Sequence, residues 1–568
     1  IATRASSASF EIISPALSTL ISGEYFMKMK TIYVVMGSAI ALITASGSAF
    51  AETGSATAEV TAMPPALTVQ EIQAYQMQIE RAPGATMPAG AINLKQWSSN
   101  GILKDPAESV IPGCLKVAGD VDKAVAAAQK AFEGEWPKLF PKERAKYLKA
   151  IAHQLRENAE LLGKIETVDT GKLFKETKTQ ANYIAEYYDY YAGLADKVEG
   201  TVLPIDKDNM QVITTRVPIG VVAAIIPWNS QMLLTAVKLA PALAMGNTVV
   251  IKSSELAPAT LFELGKLIEK TGIPKGVVNI ISGFGEPCGK ALTSHNLVER
   301  VAFTGGPETA RHIIKNSANN LSQVSLELGG KSPVAVFEDA DQENALNGIT
   351  AGIFGASGQS CIAGSRLYIQ NSIYENFLEK IVNRANKIKL GSPMDTDTQM
   401  GPLSSLKQLE IIEKNIKLTL DQGGKLKCGG KRHSLSNKGY YFPPTVIECK
   451  NHNLPTAENE LFGPVLSVMK FNTEKEVIDK MNDNQYGLSS GIYTKDINRG
   501  LRVSSAIRAG ITFVNTYRLI SPSAPFGGMK DSGYGKEAGI ESIKDYTRIK
   551  TTWFNTSDKP MDDPFTMG

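Results

Sequence analysis

Cysteine is scarce, with 5 in 568 residues, at Cys114, Cys288, Cys361, Cys428 and Cys449. They form neither a close ligand cluster nor a CxxC pair, which argues against a zinc site, a dithiol redox motif and a disulfide scaffold; no metal is expected. One-sided charge is lacking too. The 60 basic and 57 acidic side chains give a formal net charge of +3, so no general polyanion-binding field exists and nucleic acid is not an expected partner. Long internal repeats are missing. So is a convincing membrane anchor: the best apolar run, from Thr31 to Phe50, is about 20 residues long and rich in Gly, Ser and Thr, and no permanent membrane span is expected from it. What remains is 43% hydrophobic residues with 49 Gly and 28 Pro. That composition fits a globular α/β chain long enough to bury substantial apolar surface in more than one domain.

The apolar run follows Met27-Lys28-Met29-Lys30 and ends on Ala49-Phe50-Ala51, an A-x-A processing signal. Together they resemble a bacterial secretory signal, displaced by the 26 residues ahead of it. Residues 1–51 are read as a leader, either an extended gene start or a fusion. Residues 52–116 are rich in Ala, Pro, Thr and Gln, with turn signals at Pro64-Pro65 and Pro83-Gly84. They read as an irregular extension with a short helix around 69–79.

Regular patterning starts near Gly119. Asp120 to Phe132 has an acidic start and helical apolar spacing, and Glu143 to Leu162 predicts another long helix. Strand and helix signals then alternate: 221–226, 233–245, 248–251, 260–271, 277–281, 287–292, 300–303 and 308–316. The alternation resumes at 333–337, 344–354, 366–370 and 373–388. Short apolar strands separated by helices predict mostly parallel sheets with covered faces. Between two such elements, Gly355 to Ser365 is polar and Gly-rich and carries Cys361, a position where a loop can expose a thiol.

Seven strings occur in order over roughly 430 residues: IIPWN (225–229), KSSE (252–255), FTGG (303–306), LELGGKSP (326–333), GQSCIAGSR (358–366), ENELFGP (458–464) and PFGG (525–528). Any one glycine pair is weak; the ordered set resembles the aldehyde dehydrogenase superfamily from about Gly119 to Asn555. The resemblance implies an α/β fold with a Rossmann-like cofactor domain (117–199 and 219–329), an α/β catalytic domain (330–535), protruding oligomerisation strands (200–218 and 536–558) and a tail (559–568). It implies oxidation of an aldehyde to a carboxylic acid with NAD(P), in a homodimer or homotetramer.

The chemistry needs a nucleophile that turns a flat carbonyl into a tetrahedral adduct able to expel hydride. Cys361 is the most suitable candidate, giving a thiohemiacetal and then a thioester that water hydrolyses. The resemblance assigns that role to Cys361 and identifies Glu327 as the general base for the hydrolytic water, with a part in removing the thiol proton. Alone, Asn229 reads as a turn or cap residue; the motif set favours its amide as an oxyanion donor beside the Cys361 N–H. The other four cysteines read as core, linker or surface residues.

Cofactor contacts are expected from Trp228, Lys252, Glu255, Gly285, Gly289, Gly305, Gly306, Glu460 and Phe462. Lys252 and Glu255 look like ligands of the adenosine ribose, and a carboxylate there favours NAD over NADP, NADP being the alternative. Ser253 replaces the family's usual proline, which predicts a looser turn. Gly306 replaces its usual serine, which removes one hydroxyl and leaves backbone donors for phosphate. Glu460 and Phe462 resemble the residues that hold the nicotinamide ribose and ring. Lys331 supports the active-site turn, and Phe526 is expected in the aldehyde channel.

The substrate is left open: Tyr183, Tyr187, Tyr188, Tyr190 and Tyr191 border the channel or the core, and no compact Arg pair suggests a carboxylate clamp. Two alternatives stand beside aldehyde oxidation. One is a CoA-acylating dehydrogenase, against which Glu327 argues; the other is a non-enzymatic structural protein with this fold. A nicotinamide enzyme is expected to work in the cytoplasm, with periplasmic export the alternative that the signal-like segment raises.

Overall fold

The computed structural model describes residues 117–433, 439–561 and 563–566. The leader, the extension with its short helix, and Cys114 lie outside the described residues. Four helices come first: Val117–Glu133, Pro141–Glu157, Ala159–Thr170 and Phe174–Leu194. The single helix expected over Glu143 to Leu162 is two helices. Asn158 breaks it, because its side-chain Nδ2 donates to the Gln154 carbonyl at 2.8 Å while its own carbonyl accepts from Leu162 N at 3.0 Å and starts the next helix. An asparagine that bonds the backbone locally offers the chain an exit from the helix.

The first sheet has six strands in the spatial order Gly533–Tyr534, Gln323–Glu327, Val298–Thr304, Val221–Ile225, Thr248–Ser253 and Val278–Ser282. Every pair is parallel except the first. Its strands read as near-continuous apolar runs because helices cover both faces. Val222 and Ala224 pack into the core beneath Pro141–Glu157 and Phe174–Leu194, while Val221, Ala223 and Ile225 pack into the core that holds Val121 and Ile313. Strand order reverses between Val221–Ile225 and Val298–Thr304. Ile225 registers with Lys252 and Phe303, and Thr304 with Glu327. The carboxyl ends of these strands therefore share one edge, where open α/β sheets bind ligands.

The second sheet has seven strands in the order Lys425–Cys428, Thr445–Glu448, Val465–Phe471, Arg366–Gln370, Pro333–Val336, Ser489–Tyr493 and Ile511–Val514. Only its first pair is antiparallel. The chain passes from the end of Gln323–Glu327 through Leu328 to Ser332 into Pro333–Val336, which sets the carboxyl edge of the first sheet toward the amino edge of the second. A third, antiparallel sheet joins Thr201–Leu203, Met210–Pro218 and Thr547–Asn555, the last two paired over nine residues each. Among the described residues no helix is long and apolar enough to cross a membrane.

Candidate active site

A cavity of about 580 Å³ lies where the two sheet edges meet. Its wall brings together Asn229, Glu327 and Cys361, three residues from separate elements. Trp228, Gly305, Gly306, Glu460, Phe462 and Phe526 line the same space. Lys252, Glu255, Gly285 and Gly289 lie outside that wall, and of the described cysteines only Cys361 belongs to it.

Cys361 sits on the loop between the helix Gln342–Phe354 and the strand Arg366–Gln370. Ala356, Ser357 and Gly358 in turn take left-handed conformations, at φ 51°, 55° and 71°. Two of the three carry side chains, so this is strain that the surroundings hold in place. The Ser357 hydroxyl donates to Gly401 O at 2.8 Å, and a Cβ at position 358 would lie 2.3 Å from Gly463 O. The Cys361 thiol is pushed up to about 12 by burial, then by the nearby Glu460 and Glu327. It is protonated at neutral pH in this arrangement, and a base must take its proton before it can attack.

Glu327 ends its strand with a carboxyl 4% exposed. Neither of its oxygens has a hydrogen-bond partner. Burial and then Glu537 raise its pKa well above the usual carboxylate range, against Lys238 and Lys536, which lower it. A Cβ at Gly527 would stand 2.6 Å from Glu327 Oε1, so only glycine leaves room there. An orphaned buried carboxyl at a cavity wall is poised to accept a proton.

Lys238 and Glu537 were not read from the sequence. They form a buried ion pair, and Lys238 Nζ also donates to Thr304 Oγ1 at 2.6 Å. The available signal was a lysine inside the otherwise apolar helix Gln231–Ala244.

Asn229 follows the strand Val221–Ile225, and its Nδ2 donates to the Gln359 carbonyl at 3.2 Å, two residues before Cys361. The amide thus reaches the loop of the thiol. Phe526 is fixed by backbone hydrogen bonds in both directions with Glu537, 2.6 and 2.8 Å long.

Glu460 rests on the double glycine. Its Oε1 accepts from Gly330 N at 2.9 Å, and a Cβ at Gly329 would be 2.0 Å from Oε2. Burial raises this carboxyl to about 7, against the Gly330 N–H and Lys331. Lys331 is itself buried and pushed down to about 7 by burial and by Arg366. Trp228 and Phe462 pack edge to face, ring centres 5.3 Å apart. Gly305 donates its N–H to Glu327 O at 3.0 Å, and a Cβ there would strike the Phe303 ring at 2.3 Å. Gly306 precedes the helix Pro307–Ser317 with open space where a Cβ would stand.

Lys252 Nζ donates to Ser253 O at 2.9 Å and stands 4.0 Å from the part-exposed Glu255. A Cβ at Gly289 would be 3.7 Å from Lys252 Cε, so these residues form one group, with Gly285 opening the turn that leads to Gly289. Ser253 does not loosen a turn. It is the last residue of its strand, registered with Ser282, and its hydroxyl donates to Ile281 O at 3.3 Å.

The model of the aldehyde dehydrogenase family matches residues 111–552. A (Z)-2-((N-methylformamido)methylene)-5-hydroxybutyrolactone dehydrogenase of Acinetobacter baylyi is 52% identical over 449 residues, 79% of this chain and 92% of the relative. A betaine aldehyde dehydrogenase of Bacillus subtilis is 41% identical over 443 residues, 77% of this chain and 90% of the relative. Among solved structures, a betaine aldehyde dehydrogenase from Staphylococcus aureus in complex with NAD+ superposes with a TM-score of 0.78 at 38% identity, covering 79% of this chain and 90% of that one.

Proposed function

We propose, since the chain belongs to the aldehyde dehydrogenase family, that Cys361, Glu327 and Asn229 carry its reaction. The chain oxidises an aldehyde to the carboxylic acid with NAD. The observation that carries the assignment is the meeting of a loop thiol and an orphaned buried carboxyl in one cavity.

Cys361 Sγ attacks the aldehyde carbon as its proton passes to water, with Glu327 assisting. The Asn229 amide and the Cys361 N–H donate to the oxygen that becomes charged in the tetrahedral adduct. Loss of hydride from that adduct leaves a thioester on Sγ. Glu327 then takes a proton from water, which displaces the thiolate and releases the acid. Retention of this base favours hydrolysis over transfer to CoA, and the assembled residues favour an enzyme over a structural role.

The residues present fit NAD. Strand order reverses at the edge where Gly305 and Gly306 precede a helix, open space surrounds Gly306, and Glu460 is cradled by Gly329 and Gly330. When bound, the nicotinamide supplies the hydride acceptor for the oxidation. Gly285, Gly289, Gly305 and Gly306 keep phosphate approaches clear, Lys252 and Glu255 hold the adenosine ribose, and Glu460, Trp228 and Phe462 hold the nicotinamide end. Phe526 lines the aldehyde channel. The part-exposed Glu255 carboxylate favours ribose hydroxyls over a 2′-phosphate, so kcat/KM with NAD should exceed that with NADP by about tenfold or more, or about 1.4 kcal/mol. A preference for NADP would defeat this assignment of Glu255.

Around this centre we divide the chain into a cofactor domain, a catalytic domain and oligomerisation strands at the boundaries expected from the sequence. The third sheet exposes Val202, Ile549, Trp553 and Phe554. These side chains support pairing with a second copy, in a homodimer or a tetramer of dimers. A cytoplasmic working location is proposed from the need for soluble NAD, to be checked by fractionating natively expressed protein.

Mass spectrometry after a single turnover tests the nucleophile. The wild type should trap a thioacyl adduct on Cys361 and Cys361→Ser should trap none; normal steady turnover by Cys361→Ser would sink the assignment.

A further inference from the structure

The wall of the cavity is mainly apolar, and beyond the residues named above it takes in Tyr187, Leu233, Leu234 and Val237 from two helices and residues of the segment that runs from Arg518 to Phe526. Tyr183 OH fastens that segment by donating to Ile520 O at 2.5 Å. The wall carries five acidic or basic side chains: Lys172, Glu327, Glu460, Arg518 and Glu537. Lys172 is paired with Glu166 at 3.1 Å, and Glu537 with Lys238. Glu327 and Glu460 are carboxyls that burial drives toward the neutral form. Arg518 is the one basic residue of the wall that has no carboxylate at ion-pair distance among the described residues.

Its placement is built. Arg518 takes the left-handed conformation, φ 60°, which a side-chain-bearing residue adopts at a cost. Its Nη1 donates to Ala351 O at 2.9 Å, which leaves other guanidinium N–H groups unused. Gly355 makes room for it, since a Cβ there would lie 2.1 Å from Nη1. Ser521, three residues on, also lines the cavity, and its hydroxyl lies 3.0 Å from that of Ser523. A part-exposed guanidinium on a residue of the cavity wall, without a protein anion, is open to an anion on the ligand, and its planar fork suits a carboxylate.

We propose that Arg518 recognises a carboxylate at the far end of the substrate, so that the enzyme's preferred aldehydes are aldehyde acids in which an apolar spacer separates the two groups. This rests on the oxidation at Cys361 proposed above. The aldehyde lies at the thiol, the spacer crosses the apolar wall, and the carboxylate meets Arg518 with Ser521 beside it.

The test compares kcat/KM with NAD for matched pairs, succinic semialdehyde against butanal and para-carboxybenzaldehyde against benzaldehyde. The wild type should favour the acid member of at least one pair by about tenfold or more, as expected for a charge-assisted contact. Arg518→Gln should collapse that ratio, chiefly through KM, and Arg518→Lys should restore part of it. A merely structural role for Arg518 would lower both members alike and leave the ratio standing, which would overturn the proposal. A wild-type measurement covers the case of a variant that does not fold: raising the salt concentration should shrink the ratio, and succinate should inhibit competitively where butyrate does not. Wild-type preference for the neutral members also overturns it. Turnover of neutral aldehydes without any advantage of the acids defeats this inference alone, whereas failure with all four aldehydes defeats the oxidation reading and this inference with it.

Discussion

Replacing Glu327 by glutamine keeps the shape of the side chain and removes the base. General-base assistance contributes about 10² to 10⁴ in rate, or roughly 3 to 5 kcal/mol of barrier. If Glu327 serves chiefly the hydrolytic water, Glu327→Gln should retain the first turnover, faster than the steady rate that follows and seen as a stopped-flow burst of reduced nicotinamide approaching one per active site. The steady rate that follows should fall by that factor. The same carboxyl makes a statement about stability. Its folded pKa is raised above the unfolded value by burial and by Glu537, so the native state holds the proton more tightly and loses stability as pH climbs from the ordinary carboxylate range toward the folded value. The variant escapes that loss. Glutamine leaves a buried amide without partners, at a cost of about 1 to 3 kcal/mol that does not vary with pH. The test is therefore a slope: the Tm of Glu327→Gln minus that of the wild type should rise with pH. Wild-type steady turnover by the variant would refute the base assignment. A Tm difference that falls as pH rises would refute the electrostatic reasoning.

Asn229→Ala should lower kcat by about 10² to 10³ while leaving Tm close to that of the wild type, because the lost amide makes a single hydrogen bond among the described residues, to Gln359 O, at a half-buried site. Steady-state kinetics and calorimetry check both halves. Gly329→Ala should raise KM for NAD severalfold, since the new methyl would stand 2.0 Å from the Glu460 carboxylate and must displace it. Gly306→Ser, into open space, should change stability by less than about 0.5 kcal/mol.

The α/β alternation was legible because buried parallel strands are written as short continuous apolar runs, and Val221–Ile225 or Arg366–Gln370 need no partner to be recognised. Cys361 and Glu327 were legible for a different reason: each sits in a local string whose glycines are demanded by contacts that the structure displays, such as Gly329 against Glu460 and Gly358 against Gly463. The break at Asn158 was missed because apolar periodicity runs through it, and the deciding event is one side-chain bond to a backbone carbonyl. The expected loosening at Ser253 failed because the position belongs to a strand, whose ladder with Val278–Ser282 fixes it whichever residue is present.

Lys238 and Arg518 show where reading by pattern stops. Lys238 lies among Thr235, Ala236, Val237, Leu239 and Ala240 with no exposure at all. A fully buried ammonium costs several kcal/mol unless an anion and hydrogen bonds compensate it. A lysine on the apolar face of a helix therefore implies a buried acid elsewhere in the chain. The acid is Glu537, 299 residues away, and sequence spacing has no means of choosing it over the other carboxylates. Arg518 is the converse case. Here the informative fact is an anion that the fold does not provide, and it emerges only once the neighbours of the guanidinium are known. The residues proposed for catalysis belong to motifs, while those proposed to tune the base and select the substrate acquire their meaning from three-dimensional pairing. The segment after Val514 accordingly deserves the substrate screen, and the helix Gln231–Ala244 the pH screen.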